Sequence, residues 1–333
     1  MSARGSLLIT VLWWVVILSI MAVGLYAMTR PRVELAGRMG ESAALRAGAD
    51  AALYSAIALV GKDPSPGFDS AADDWADNPE KLGGIELGTG VFAVGFFPVD
   101  WMADTHDGEP RYGLQDEESR LNINKAPVEV LVRLFEWTCG LPTLECEALA
   151  GAVVDWRDEN DDPEESGAES VSYHEMSDPY SPRNALFQMP EELLLVKGVT
   201  AEIFRRVEPY ITVYGTGAVN VNTAPDLVLT CLGLGEPAIT AVNSWRAGPD
   251  GIVGTGDDVP FERTGAILVD LDDTGMLSEN AKSELRRAIN GRLLTVRSDN
   301  FRGHVFRRLD NSAARMHIMF VFNRGGAVRL WRE

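Results

Sequence analysis

Two oxygen-rich loops are the parts of this chain best suited to chemistry. The segment DWRDENDDPEESGAES (155–170) sets Asp158, Asn160 and Asp162 at alternate positions, with Glu169 eleven residues after the first. That spacing partly matches positions 1, 3, 5 and 12 of a calcium loop, although Pro163 stands where such a loop requires glycine, so the segment is not an EF-hand. A second segment, GPDGIVGTGDD (248–258), offers Asp250, Asp257 and Asp258 on a glycine-rich, turn-prone backbone. Hard oxygens packed this densely repel one another unless water or a cation intervenes. The sequence leaves two readings open, a bound divalent cation or two solvated loops.

Other reactive residue types are sparse. Cys139, Cys146 and Cys231 fit neither a disulfide-dense scaffold nor a zinc site. In an oxidising compartment Cys139 and Cys146 could close the small loop CGLPTLEC; Cys231 could pair with either, or all three could stay free. His106 and His174 have acidic neighbours, and His304 and His317 fall in expected strands. None has a recognisable nucleophile or metal partner. Signatures of zinc peptidases, serine hydrolases, phosphate loops and dinucleotide sites are absent, so no enzyme activity is expected. The formal charge of −19 and pI near 4.6 disfavour contact with a nucleic-acid backbone. The stretch 191–211 reads as helix, tight turn at Lys197-Gly198-Val199, helix. Its single turn glycine and its glutamates, Glu191, Glu192, Glu202 and Glu208, argue for packing rather than DNA binding.

The elements that position the acidic loops include an internal repeat. LNINKAPVEVL (121–131) is echoed by VNVNTAPDLVL (219–229), and each copy runs on to a Trp-Arg pair, at 156–157 and 245–246, followed by an acidic loop. Each copy is expected to be a strand end, a polar cap and a helix opened by proline. Around these modules lie strand-like segments at 90–99, 111–123, 293–298, 301–309, 315–323 and 327–333, the last ones alternating as antiparallel strands do. Residues 61–90 are rich in Pro, Gly and Asp and read as loop.

The amino-terminal part carries the broadest signal. No charged residue lies between Arg4 and Arg30, and the 22 residues from Leu7 to Met28 are mostly apolar. As a helix they would extend roughly 33 Å, enough to cross a bilayer core of about 30 Å. The apolar run is too long for a signal peptide. Small and apolar residues continue at helical spacing to about residue 60, so one helix is expected, half in lipid and half amphipathic. The resulting fold class is α+β: a pilin-like long N-terminal transmembrane helix packed on an antiparallel sheet, with a large, mostly helical inserted domain. The expected divisions are 1–5 leader, 6–28 transmembrane helix, 29–60 its continuation, 61–124 first part of the α/β domain, 125–290 insert, and 291–333 closing strands.

A short basic leader ending in Gly5, set directly against an apolar helix, resembles the processing site of type IV pilins and pseudopilins. The resemblance implies cleavage by prepilin peptidase between Gly5 and Ser6 and methylation of the new terminus. It departs from the common pattern in starting with Ser6 and in placing Thr10 where most members carry glutamate, a residue costly in lipid unless paired. Together with DEESRLNINKAP, VVDWRDENDD, DPYSPRNALFQMPEELLLVKGVT, VNVNTAP and the closing LWRE, the chain is similar to the minor pseudopilin K family of type II secretion systems. That resemblance implies a tip position on the pseudopilus with minor pseudopilins I and J, contact with other pseudopilins and the inner-membrane secretion platform, structural calcium in the helical domain, and a single-pass inner-membrane protein whose body lies in the periplasm. A subunit of a related type IV filament and a membrane-anchored periplasmic protein of other function are the alternatives.

Overall fold

The computed structural model describes residues 3–87, 90–96, 111–164, 166–176, 178–273, 275, 277–308 and 317–332. His106, leader residues 1–2 and the expected strand residues 97–99, 309, 315–316 and 333 lie outside the described residues, as do the surroundings of Gly5 and the side chains of Ser6 and His317.

One helix, α1 (Ala3–Gly61), runs through both amino-terminal segments. Its part Ile9–Arg30 has mean hydropathy 2.2, is wholly exposed, and is long and apolar enough to cross a membrane. Pro31 follows at once and continues the helix although it cannot donate a backbone hydrogen bond. Past it the helix turns amphipathic. Ala49, Ala52, Leu53, Ala56 and Val60 are buried against the sheet, while Met39 and Tyr54 stay exposed. The approach is close enough to require glycine at position 48, where a Cβ would sit 1.9 Å from the Phe92 ring.

A short helix α2 (Pro79–Leu82), capped by the Asn78 side chain, leads into β1 (Ile85–Leu87) and β2 (Gly90–Gly95). The sequence reading of 61–90 as loop therefore misses α2 and the edge strand β1; Pro, Gly and Asp there mask a strand that needs only three residues to pair. Next come β3 (Gln115–Asp116), β4 (Leu121–Asn122), α3 (Val128–Cys139), α4 (Thr143–Arg157), α5 (Ser170–His174), α6 (Ala201–Val207), β5 (Ile211–Thr212) and β6 (Val219–Asn220). The chain continues through α7 (Asp226–Cys231), α8 (Glu236–Arg246), α9 (Ile267–Asp273), α10 (Glu279–Asn290), β7 (Leu294–Thr295), β8 (Asn300–Arg308), β9 (His317–Asn323) and β10 (Val328–Arg332). The main sheet is antiparallel in the order β1-β2-β8-β9-β10, with β3 also on β8. Strands from before the insert therefore lie together along one edge of β8 and those from after it on the other, and register such as Val94 opposite Val305 points their apolar side chains at α1. This is a pilin-like α+β fold.

The expected strand 111–123 is broken. Asp116 accepts the N–H of Glu118 at 2.7 Å and caps a 3-10 turn at Glu117–Ser119, so only β3 joins the main sheet while β4 leaves for the insert. The insert has its own apolar core, from Leu121 to Val296, separate from the core under α1.

Candidate functional site

Both halves of the repeat are built by one hydrogen-bond scheme. In the first, β4 pairs with β5 in parallel; in the second, β6 pairs with β7 in parallel. The side-chain oxygen of Asn122 accepts the N–H of Asn124 at 2.8 Å, and Asn220 does the same for Asn222 at 3.0 Å. Asn124 then clamps the Phe187 backbone, accepting its N–H at 2.8 Å and donating to its C=O at 2.9 Å. Asn222 clamps Phe261 identically, at 2.8 and 3.0 Å. Arg157 donates to the carbonyls of Ile123 and Ala126, and Arg246 to those of Val221 and Ala224. Trp156 stacks on Phe187 at 6.3 Å and Trp245 on Phe261 at 5.9 Å. The prolines sit one place earlier than the sequence suggests, at the N-caps of α3 and α7. The asparagines, whose side chains are free to reach across, tie the clamped phenylalanines instead of capping.

Each scheme aims an acidic loop outward from the end of a helix. In the first loop Asp158 is half-buried at the C-cap of α4, and Asn160 and Asp162 are exposed. The carboxylate of Asp158 accepts the N–H of Asn160, and the side chain of Asn160 accepts the N–H of Asp162. Glu169 is different. It is only 6% exposed, and no N–H or hydroxyl donates to either carboxylate oxygen. Its polar neighbour is the carboxyl of Asp161, with which it shares a proton when one of the two is neutral. Burial first, then the nearby charge of Asp155 and the side chain of Asp161, push its carboxyl up to about 7. Two further acids therefore belong to this loop. Asp161 takes the hydroxyl of Ser170 at 2.7 Å. Buried Asp155 accepts the N–H groups of Glu164 at 2.9 Å and Ala168 at 2.6 Å, which folds the loop back over α4. Asp155 lies inside the helix pattern of α4 and looks like an ordinary helical acid in sequence; its buried side chain is the sign that was hidden.

The second loop gathers Asp250, Asp257 and Asp258 around one hydroxyl. Thr255 Oγ1 lies 3.1 Å from Asp250, 2.6 Å from Asp257 and 3.4 Å from Asp258. Here the carboxylates are supplied by the loop itself. Asp258 accepts the N–H of Gly254, Asp257 that of Asp250, and Asp250 that of Ile252. The Thr255 hydroxyl holds the carboxyl of Asp257 below its usual range. Among the described residues, the acids whose oxygens all come within 4.8 Å of one another belong to neither loop but are Asp63, Asp69 and Asp73 after α1, where Arg324 reaches Asp63 at 3.0 Å and also pairs with Asp69.

Cys139, Cys146 and Cys231 are free thiols in the structure. Cys139 ends α3 and Cys146 lies in the first turns of α4, on the two sides of one helical hairpin; Cys231 is buried elsewhere, at the end of α7. Thr10 lies in the exposed apolar part of α1. The 191–211 segment is a 3-10 turn at Pro190–Leu195, a bend at Gly198 with φ +88°, and α6.

A helix of membrane-spanning length whose second half is covered by an antiparallel sheet is a pilin-like fold. Residues 100–216 match the family described as Type II secretion system (T2SS), protein K. Type II secretion system protein K of Pectobacterium carotovorum subsp. carotovorum is 29% identical over 192 residues, covering 56% of this chain and 53% of that protein. The Klebsiella pneumoniae protein of the same description is 29% identical over 155 residues, 42% of this chain and 47% of its own. The chain thus spans about half the length of the curated relatives it matches. In fold it is similar to a solved GspK-GspI-GspJ complex from the enterotoxigenic Escherichia coli Type 2 Secretion System. The TM-score is 0.58 at 17% identity, over 88% of this chain and 92% of that one. Residues 100–216 are thus similar to the type II secretion system protein K family.

Proposed function

We propose that this chain is a minor pseudopilin of a type II secretion system, standing at the pseudopilus tip with subunits of the I and J types and helping to start or cap the filament. The observation that carries this reading is the bulky two-module insert joined to a pilin-like sheet. A second subunit stacking above that sheet would meet the insert, which suits a terminal position and not a shaft. Thr10, in place of a carboxylate, offers no charge to a neighbouring subunit's amino terminus within lipid. The same reading takes Gly5-Ser6 as the prepilin peptidase site, residues 6–28 as the inner-membrane span, and the remainder as a periplasmic body that works alongside the other pseudopilins and the secretion platform. The residue divisions given under Sequence analysis belong to it too, as does a Cys139–Cys146 bridge in that oxidising compartment.

Full-length chain produced together with I- and J-type subunits and extracted from membranes is expected to co-purify as a ternary complex. EDTA should weaken it, and the intact mass should begin at Ser6. Failure to associate with or without EDTA would overturn the assignment.

The EDTA effect follows from the first acidic loop, which belongs to the same proposal. Buried Glu169, with Asp158 and Asp161 near it and Asn160 and Asp162 exposed on the same loop, is the group we assign to a hard divalent cation such as Ca2+. Asp250, Asp257 and Asp258 form the second candidate. Glu169 must lose its proton to ligate, so affinity should fall about tenfold per pH unit below about 7. Calorimetric Ca2+ titration of the full chain at several pH values checks this. Glu169→Gln should weaken binding and flatten the dependence; unchanged binding by that variant would remove Glu169 from the site.

A further inference from the structure

The joint between insert and sheet buries more carboxylates than cations. Asp63 and Asp69 come from the loop after α1, and Asp116, Glu117 and Glu118 from the turn after β3; all five side chains are buried. The cations facing them are buried Arg120 of the same turn, buried Arg302 of β8 and half-buried Arg324 of the β9–β10 turn. Five negative charges against three positive leave an excess of two at a contact that water screens poorly.

The pairing is uneven. Burial alone would raise the carboxyl of Glu117, but Arg302 at 2.5 Å and Arg120 at 3.8 Å hold it below its usual range. Arg324 spans Asp63 and Asp69, and the N–H of Ser298 adds to Asp69 at 2.7 Å. Asp116 and Glu118 are met by neutral donors. Asp116 takes the hydroxyls of Ser298 and Thr223, each at 2.5 Å, and Asn220 Nδ2 at 3.1 Å. Glu118 takes the N–H groups of Asp299 at 3.1 Å and Asn300 at 3.0 Å, and Asn300 Nδ2 at 2.8 Å. The remaining charged and titratable neighbours are Asp73 beside Asp63, Glu208 at 3.7 Å from Arg302, the exposed Arg297–Asp299 pair, and Tyr214 near Glu117.

We propose that this joint is a proton-operated lock, in which two protons held among Asp69, Asp116 and Glu118 fix the insert on the sheet and their loss frees it to move. Asp116 and Glu118 are the points where the second module, the β3 turn and the entry to β8 meet, so ionising both sets like charges against each other at that contact. Burial, foremost, raises all three carboxyls, Asp69 to about 7 and Glu118 to about 8, with the charge of Asp116 adding to both. A carboxyl raised on folding stabilises the folded state fully below its unfolded value, 3.8 for Asp and 4.5 for Glu. That contribution is lost as pH climbs through the folded value, so the lock opens on the alkaline side of neutrality. The lock is a property of this chain, whatever it assembles with.

Hydrogen exchange on the full chain in detergent, corrected for the intrinsic pH effect, tests it. Peptides covering 115–123, 219–225 and 296–300 should open at least about tenfold more readily at about pH 9 than at about pH 6. Peptides from α1 and β9 should change by less than about twofold. Asp116→Asn and Glu118→Gln, which mimic the protonated groups, should flatten the response of the joint. Equal protection of the joint at both pH values, or a loss shared by α1 and β9, overturns the proposal in the wild-type chain alone, even where a variant fails to fold. Variants that fold and keep the wild-type slope overturn it as well.

Discussion

Replacing Arg302 by methionine is expected to destabilise the chain by about 3–5 kcal/mol, because it strands a buried charge. Glu117 is fully buried and keeps only Arg120, at 3.8 Å, and the Thr212 hydroxyl once the 2.5 Å pair with Arg302 is gone. Methionine preserves most of the arginine stem, so packing loss contributes little. Denaturant unfolding of the full chain in detergent measures the cost. The double variant Glu117→Gln with Arg302→Met should recover a large part of it, since the penalty belongs to the uncompensated charge and not to the missing pair. A single-variant loss under about 1 kcal/mol would show that Glu117 is not held as a buried anion.

The second large effect is expected at the clamp of the second module. Asn222→Ala leaves the N–H and the carbonyl of Phe261 without their side-chain partner and takes one of two amide donors from the Asp69 carbonyl, Asn220 keeping the other, all inside the fold. Buried groups left unsatisfied cost about 1–3 kcal/mol each, with backbone relaxation recovering part, so a loss of about 3–4 kcal/mol is expected. The matching Asn124→Ala removes two such bonds at a half-buried position and should cost about 2 kcal/mol. Thermal melts of both variants against wild type compare them. A larger loss at Asn124 than at Asn222 would contradict the greater burial and extra bond of the second clamp.

These two cases divide what the sequence revealed from what it concealed. The repeat was legible because Asn-x-Asn-x-Ala-Pro and the Trp-Arg pair recur in order. The structure gives the second asparagine, the tryptophan and the arginine of each copy corresponding partners, while the first asparagines, Asn122 and Asn220, donate to different groups. The acidic loops were legible as oxygen-rich runs. Glu169 stood out only by spacing; its burial against Asp161 is a tertiary fact, set by the start of α5 folding over the end of α4. The DEES turn was read only as part of a strand, 111–123, with nothing to announce burial, yet Asp116, Glu117 and Glu118 are buried by Arg302, Asn220, Ser298 and Asn300, all about a hundred residues or more away in the chain. Sequence separation of that order erases any local signature of burial. Strand β1 was lost for a different reason: three residues beside glycines carry too little alternation to register.

Pro31 gives α1 a mechanical character that its continuity conceals. The carbonyl of Ala27, four residues earlier, has no N–H to receive there, so the ladder of the helix lacks a rung just past Arg30, where the apolar span ends. Below that rung the helix is bare; above it, Ala49 to Val60 are cemented to the sheet. A long rod with one weakened joint bends at the joint. Tilt of the anchor within a bilayer is thereby uncoupled from the attitude of the folded body, while axial thrust still passes from one end to the other.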